Sequence, residues 1–404
     1  MRLALNYQRV DPSKGGAETY VVDLCRSLVK LGHEVDLYAQ TWREDLLPAE
    51  VRKVAVPVSG RTKGARLWSF AENSAAALER AGHDCSVGFI NVWGVDVLIP
   101  QGGVHGASLE ANSKRFPRGW RRRLYLLGKS LDPKRGLYRR IEARQYDLDR
   151  TSRYVAVSRM VQGHLAKFHG VPADRVHVVP NAIDGGRLAV DDSSTVRGDF
   201  RRELGLSPDD LVGLFVGHNY WLKGLQPLLN ALRTRLDRDP KSRPIHLLAC
   251  GGGNVGPFRR IVNRLGLKDH VRLLGFQNDI RPPFHASDFF VSPTYYDPCS
   301  LVVFEALACG LPVITSRCNG AGELISQGAE GFVIVRPDAV DELADALDRM
   351  TDDQERLEMS EKARALGHEQ SFDRHVARLL EVFQAAADAK SGRPARRSNS
   401  CAAA

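Results

Sequence analysis

Two carboxylates separated by seven residues, Asp297 and Glu305, bracket a segment whose composition changes from turn formers to helix formers at Ser300. Asp297-Pro-Cys-Ser predicts a loop and Leu301–Ala308 a helix that ends at Gly310. The amides of Ser300, Leu301 and Val302 would then be the unpaired N–H groups of a helix start, which together with the helix dipole attract a diphosphate. Glu305, one turn further in, is placed to accept hydrogen bonds from vicinal hydroxyls such as those of a ribose. Asp297, in the loop, is placed to face a sugar. One such pair of acids reads more simply as a helix cap and a structural carboxylate. Two other segments tip the balance towards chemistry. Phe215-Val-Gly-His-Asn-Tyr-Trp-Leu-Lys-Gly224 reads as a strand ending in a loop that carries Lys223 ahead of a helix. In open α/β sheets ligands sit at the carboxyl ends of strands, and a lysine there meets phosphate. Leu274-Gly-Phe-Gln-Asn-Asp-Ile280 is a second strand-to-helix turn, with backbone around Asn278 and Ile280 suited to hydrogen-bond a planar base.

The elements that must hold these loops are legible as short runs of Val, Ile and Leu alternating with helix-length amphipathic segments, the pattern of parallel sheets covered on both faces. Strands are expected at 2–7, 34–39, 86–92, 154–157 and 176–179 in the first half. In the second half they are expected at 212–216, 245–249, 271–274, 288–292, 312–315 and 332–335. Residues 181–199, rich in Asp, Ser and Gly, read as the linker. The length of 404 residues suits two domains. We expect a first domain over 1–185, a second over 186–370, a C-terminal helix over 371–389 packing back on the first domain, and a disordered basic tail over 390–404. After the first strand comes Asp11-Pro-Ser-Lys-Gly-Gly-Ala-Glu18, where Gly15 and Gly16 let backbone approach a ligand at a helix start. No Gly-x-Gly-x-x-Gly follows that strand, which disfavours a nicotinamide or flavin site.

Charge is divided unevenly. Residues 1–185 hold 29 Lys and Arg against 19 Asp and Glu, whereas the remainder holds 28 against 29. Lys114–Arg144 alone has twelve basic residues, with Asp132 and Glu142 as its only acids. Such a patch attracts polyanions. Within it Gly119-Trp-Arg-Arg-Arg-Leu-Tyr-Leu-Leu-Gly128 mixes cations with Trp, Tyr and Leu, as an interfacial helix does, so the segment 114–144 is expected to meet an anionic membrane surface. No nucleic-acid-binding module accompanies the patch, and nucleic acid is not expected as a partner. The first seven residues lack a signal peptide's apolar core, and no stretch approaches 18 uninterrupted apolar residues. Seven cysteines without Cys-x-x-Cys spacing argue against disulfide or metal frameworks. The expected location is the cytoplasm, peripherally on the inner face of the cell membrane.

The second half resembles the donor domain of the large retaining glycosyltransferase family with two facing Rossmann-like domains (family 4, glycosyl transferases group 1). The family's signature reads here Glu305-Ala-Leu-Ala-Cys-Gly-Leu-Pro-Val313. Gly15-Gly-Ala-Glu18 and Val178-Val-Pro-Asn-Ala-Ile-Asp184 match its first domain and interdomain joint. The resemblance covers about residues 1–385, and the lysine loop with Asp279-Ile280 is most similar to the lipopolysaccharide core glucosyltransferases. It implies an α/β fold of the GT-B kind, two domains facing across a deep cleft. It also implies that Lys223 binds the donor diphosphate, Glu305 the ribose, Asp297 the hydroxyls of the transferred sugar, and that Gly16 lies near the diphosphate. His105, in Gln101-Gly-Gly-Val-His-Gly106, matches a first-domain histidine near the reaction centre. Two departures bear on the donor: His218 stands where the family often has an Arg, and Asp297 where it has a longer Glu.

The expected reaction moves a hexose, glucose by resemblance, from a UDP-sugar to a glycan or lipid-linked acceptor in lipopolysaccharide or other cell-surface polysaccharide synthesis. It keeps the anomeric configuration and uses no cofactor or metal, no Asp-x-Asp motif standing in donor-site context. A nucleotide-sugar 2-epimerase shares the architecture but would not need the Asp297/Glu305 spacing. An inactive nucleotide- or glycan-binding homologue is the third reading, allowed by the two departures.

Overall fold

The computed structural model describes residues 1–392 except Lys14, Pro117 and Arg118, with the side chains of Pro133 and Lys134 also left aside. The expected tail lies outside the described residues from 393 onward. In chain order the first half forms β1 (Arg2–Asn6), β2 (Arg9–Val10), α1 (Gly16–Lys30), β3 (Glu34–Ala39), β4 (Thr41–Trp42), β5 (Arg52–Ala55), α2 (Lys63–Ala81), β6 (Cys85–Gly88) and β7 (Val97–Leu98). It continues through α3 (His105–Ser113), α4 (Trp120–Ser130), α5 (Pro133–Gln145), β8 (Arg153–Ala156), α6 (Arg159–His169) and β9 (Val176–Val178). The second half forms α7 (Ser193–Glu203), β10 (Leu211–Val216), α8 (Leu225–Arg238), β11 (Ile245–Cys250), α9 (Val255–Arg264), β12 (Val271–Gly275), α10 (Arg281–Ala286) and β13 (Phe289–Ser292). Then come α11 (Leu301–Ala308), β14 (Val313–Ser316), β15 (Gly331–Ile334), α12 (Val340–Arg349), α13 (Asp353–Glu369) and α14 (Phe372–Lys390).

Two compact units result. The first holds a seven-stranded parallel sheet in the order β5-β3-β1-β6-β7-β8-β9. The second holds a six-stranded parallel sheet in the order β12-β11-β10-β13-β14-β15. Both orders reverse direction beside the first strand of the unit, between β1 and β6 and between β10 and β13. These are the positions where doubly wound sheets open a crevice at the carboxyl ends of their strands. The strands read as continuous apolar runs because helices cover both faces: Leu211, Phe215, Leu247, Phe289, Val291 and Ile314 are buried together under α8 and α12.

The units are not the continuous stretches 1–185 and 186–370 that the sequence suggested. The first comprises Met1–Ala107, Leu127–Val179 and Asp373–Ala404, and the second Ser108–Leu126 and Pro180–Phe372. Within this second unit Lys114 and Arg115 lie near enough to Cys318 and Tyr295, respectively, to interact electrostatically with them. The C-terminal helix completes the first unit. His375 of α14 is hydrogen-bonded to the Tyr20 hydroxyl of α1 at 2.7 Å, and Lys390 donates to Asp96. The linker also differs from expectation. Residues 193–203 are helical, because Asp192 caps α7 by accepting from the Ser194 and Thr195 amides; Asp and Ser placed there are start signals as well as loop formers.

Candidate active site

In the second unit the Lys223 loop leaves the carboxyl end of β10, and the Asp297 loop leaves the carboxyl end of neighbouring β13. The switch in strand order therefore brings the two together. The Lys223 ammonium forms an ion pair with the Asp297 carboxylate, Asp297 being nearly buried and Lys223 partly exposed. Backbone contacts fix both partners. The Tyr295 amide donates to Leu222 O (2.8 Å), and Gly224 has φ +84° with its Cα so close to Pro293 that a Cβ would lie 2.0 Å from that carbonyl oxygen. The Asp297 amide donates to Cys318 O (3.0 Å), and its carbonyl accepts from Gly320 (2.9 Å).

The helix expected at Leu301–Ala308 is present with those bounds, and Gly310 ends it at φ +72°. Of the three amides expected to face a diphosphate, that of Ser300 is engaged by the Asn319 side-chain oxygen at 3.2 Å. The expectation therefore narrows to Leu301 and Val302, first-turn amides with no partner inside their helix. Glu305 is buried on α11 and pairs with Arg187, 3.5 Å away on the short helical turn Gly185–Leu188. Nothing in the sequence reading pointed to Arg187. Its partner is 118 positions away, and a lone arginine after an interdomain motif carries no periodic signal.

The sequence reading also passed over Gly251-Gly-Gly253. Gly251 has φ +135°, and a Cβ on it would lie 1.9 Å from Gly217 O; one on Gly252 would lie 2.7 Å from the His218 ring. The Gly217 amide donates to Cys250 O (3.0 Å) and the Gly251 amide to Gly275 O (2.7 Å), so the ends of β10, β11 and β12 are drawn together. Three glycines directly after a strand were the available signal. Asn278 and Ile280 sit on the turn after β12, Asn278 exposed and Ile280 half-buried as the residue preceding α10. His218, where the family often has an arginine, is exposed at the same rim.

Gly16 and His105 belong to the first unit. Gly16 is the exposed first residue of α1. His105 is the first residue of α3, half-buried, and its ring stacks on Tyr138 with centroids 4.9 Å apart. Burial, with Arg135 and Lys129 nearby, lowers its pKa and favours the neutral imidazole. Where this unit's strand order reverses, a pocket of about 370 Å³ opens among Tyr7, Gln8 and Arg9 after β1, Ile90 and Asn91 after β6, and Lys63 of α2. Asn91 is the one non-glycine residue with positive φ (57°) among the described residues.

The basic stretch is two different helices. On α5, Arg140 and Arg144 lie over Trp68 at 5.0 and 4.9 Å, and Ile141 packs with Trp93 and Ala71. On α4, Trp120, Leu124 and Leu127 are 57–70% exposed, and Leu131 beyond its end is 75% exposed. None of the described helices is long and apolar enough to cross a membrane. The six described cysteines are free thiols.

A parallel-sheet unit with a lysine, a helix start and a buried acid at its switch point, preceded by a second such unit, is the architecture of a two-domain sugar-nucleotide transferase. The chain matches the model of Glycosyltransferase Family 4 over residues 14–187 and that of Glycosyl transferases group 1 over residues 196–366. It belongs to this family of glycosyltransferases. Among its relatives, a D-inositol 3-phosphate glycosyltransferase of Actinosynnema mirum is 28% identical over 93% of both chains. The lipopolysaccharide glucosyltransferase WaaG of Escherichia coli K12 is 23% identical over 87% of this chain and 90% of that one. The crystal structure of WaaG superposes with a TM-score of 0.74 at 22% identity, covering 96% of this chain and all of that one. Anabaena HepE in complex with UDP-glucose superposes at 0.68 and 18% identity, covering 97% and 100%. These likenesses establish the GT-B fold.

Proposed function

We propose that this glycosyltransferase moves glucose from UDP-glucose, with retention of anomeric configuration, to a hydroxyl of a glycan or lipid-linked acceptor in cell-surface polysaccharide synthesis. The observation that carries the reading is the Lys223–Asp297 pair at the β10/β13 switch point, beside the start of a helix that also bears Glu305. An arriving diphosphate takes Lys223 from Asp297 and accepts from the Leu301 and Val302 amides. Glu305 meets the ribose hydroxyls, and Asp297, once released, accepts from the hydroxyls of the hexose. Asn278 and Ile280 present backbone to the base.

As the bond from the anomeric carbon to the β-phosphate oxygen breaks, negative charge grows on the leaving diphosphate. Lys223 and the two amides stabilise it there, so no metal is needed. The acceptor hydroxyl attacks from the leaving-group side and passes its proton to that phosphate oxygen, which keeps the configuration. His105 is assigned to the reaction centre on the family resemblance, and Gly16 to the approach of backbone to the diphosphate.

The names of the relatives support the donor: one is a glucosyltransferase, and another protein of this fold was crystallised with UDP-glucose. The acceptor is assigned to the pocket between Arg9, Lys63 and Asn91, where two cations outnumber the one carboxylate of the lining, Glu18, and so favour an anionic substituent. Helix α4, with its exposed apolar stripe and Arg121 and Arg123, is assigned to an anionic membrane surface. A melting-temperature screen of nucleotide sugars tests the donor, since a ligand that binds only the folded state raises the transition. UDP-glucose is expected to give the largest rise. A rise with no nucleotide sugar would sink the reading, and slow release of UDP from UDP-glucose in water would separate a transferase from an inactive homologue.

A further inference from the structure

Glu142 is one of the two acids in the basic stretch, and the proposed chemistry does not use it. It lies on α5, four residues after Tyr138, so the two side chains share one face of the helix. That face meets His105. The Tyr138 ring stacks on the imidazole at 23° between planes, and Glu142 Oε1 accepts the His105 backbone amide at 2.6 Å. That amide opens α3 and has no partner within its helix; a carboxylate there also satisfies the positive end of the helix dipole.

The other partners of Glu142 are few. Its second oxygen is 3.8 Å from His169 of α6. Burial holds His169 down at about 4 as it stacks on Tyr146 at 4.1 Å, so this contact is with a neutral ring. Among the described residues, no Lys or Arg pairs with Glu142. Burial raises its carboxyl, and the His105 amide opposes that rise. A largely buried acid amid a basic stretch is thus committed to one backbone amide.

We infer that Tyr138 and Glu142 are positioning residues for His105: α5 grips the histidine by its ring and by its backbone. Tyr138 also borders the pocket lined by Arg9, Lys63 and Asn91, so the same helix face sets one wall of that pocket and the orientation of the imidazole. The inference rests on the role proposed for His105, and its test separates the two.

UDP release from UDP-glucose is followed in Tyr138→Leu, Tyr138→Phe, Glu142→Leu and Glu142→Gln, alone and on a His105→Ala background. Misplacing a reacting group by about an ångström costs up to ~100-fold. The Leu variants should therefore lose about 10-fold or more in kcat with the KM for UDP-glucose changed less than about twofold. Phe keeps the stack and Gln keeps an acceptor oxygen, so both should stay near wild type. With His105 gone, Tyr138→Leu should cost nothing further; an equal loss on that background would overturn the inference.

The second readout is the His105 ring resonance in protein carrying labelled histidine. It is expected to move in Tyr138→Leu, which removes the ring current, and to hold in Tyr138→Phe. If His105→Ala leaves turnover intact, or UDP-glucose is not turned over, the role of His105 fails or goes unread. The resonance then decides alone, and an unmoved signal in Tyr138→Leu overturns the positioning.

Discussion

Lys223 and Asp297 neutralise one another before any donor arrives, and the pairing has a consequence for how the donor binds. On the proposed function a diphosphate, bringing more charge than Asp297, would take over the ammonium, while the released carboxylate would find hydroxyls on the same ligand. The exchange keeps every charged group partnered, which a buried site requires. Removing one preorganised donor of transition-state charge costs on the order of 100-fold or more in kcat. Lys223→Ala should show at least that loss for UDP-glucose turnover, and a loss below about threefold would place the diphosphate elsewhere. The role proposed for Glu305 concerns a different part of the ligand. Hydrogen bonds to a charged group contribute about 1.5–3 kcal/mol, so Glu305→Ala should weaken UDP binding by about 10- to 100-fold in calorimetry. The same variant should bind 2′,3′-dideoxy-UDP as wild type does. Equal losses for both ligands would remove the ribose from Glu305. Arg187 adds a residue that spacing could not reveal, because its pairing with Glu305 exists only once the chain has folded.

At the scale of elements the sequence was most readable where a single period governed it. The buried strands β3, β10, β11, β13 and β14 and the helix α11 fall within a residue or so of their expected bounds, since continuous apolar runs, and an octet apolar but for Glu305 and ended by Gly310, leave few alternatives. Short edge pieces were not readable. Arg52–Ala55 carries two cations in four residues, and what makes it a strand is pairing with β3 together with Arg52, which reaches back to Asp36. Burial would raise the Asp36 carboxyl, but Arg52 and His83 overcome it and bring it to about 2. An unfolded aspartate titrates near 4. The folded state therefore binds the proton less readily, and the stabilisation is full above about pH 4 and lost as pH falls towards 2. Asp36→Asn should cost at most about 2 kcal/mol at neutral pH, less what solvent screens at exposed Arg52, with the gap closing below pH 4 in denaturant melts. A gap constant from pH 7 to 3 would refute the pairing. The site loops were legible as loops, but not what holds them. Gly224 must be glycine for two reasons, a left-handed φ and a carbonyl 2.0 Å from any Cβ. Gly224→Ala should lower stability by about 1–3 kcal/mol and shift Lys223 as well. A variant with wild-type melting and wild-type turnover would show that the loop has more room than this.

At the scale of the whole molecule, the charge imbalance between the two halves finds its use only when the basic stretch is divided. On α5 the arginines are spent inside the first unit, over Trp68 and Trp93, and the helix's other side grips His105. On α4 less is spent, Arg122 donating to Ser113 Oγ at 3.2 Å. Trp120, Leu124 and Leu127, with Leu131 beyond, follow the spacing of one helical face, yet all are exposed, and Arg121 and Arg123 are exposed beside them. An exposed apolar stripe flanked by cations is what binds the boundary between headgroups and acyl chains, with apolar burial and charge attraction acting together. Each basic residue near an anionic leaflet contributes about 1 kcal/mol, and that part is screened by salt. The protein should therefore sediment with vesicles containing anionic lipid, more weakly as salt rises, and hardly at all with neutral vesicles. Exchanging Trp120, Leu124 and Leu127 for Ser together should abolish sedimentation while UDP release from UDP-glucose stays at the wild-type rate, because all three side chains are exposed. If the triple variant sediments as wild type does, α4 is not the contact. If it loses turnover as well, the helix belongs to the catalytic machinery and its exposed stripe needs a different explanation.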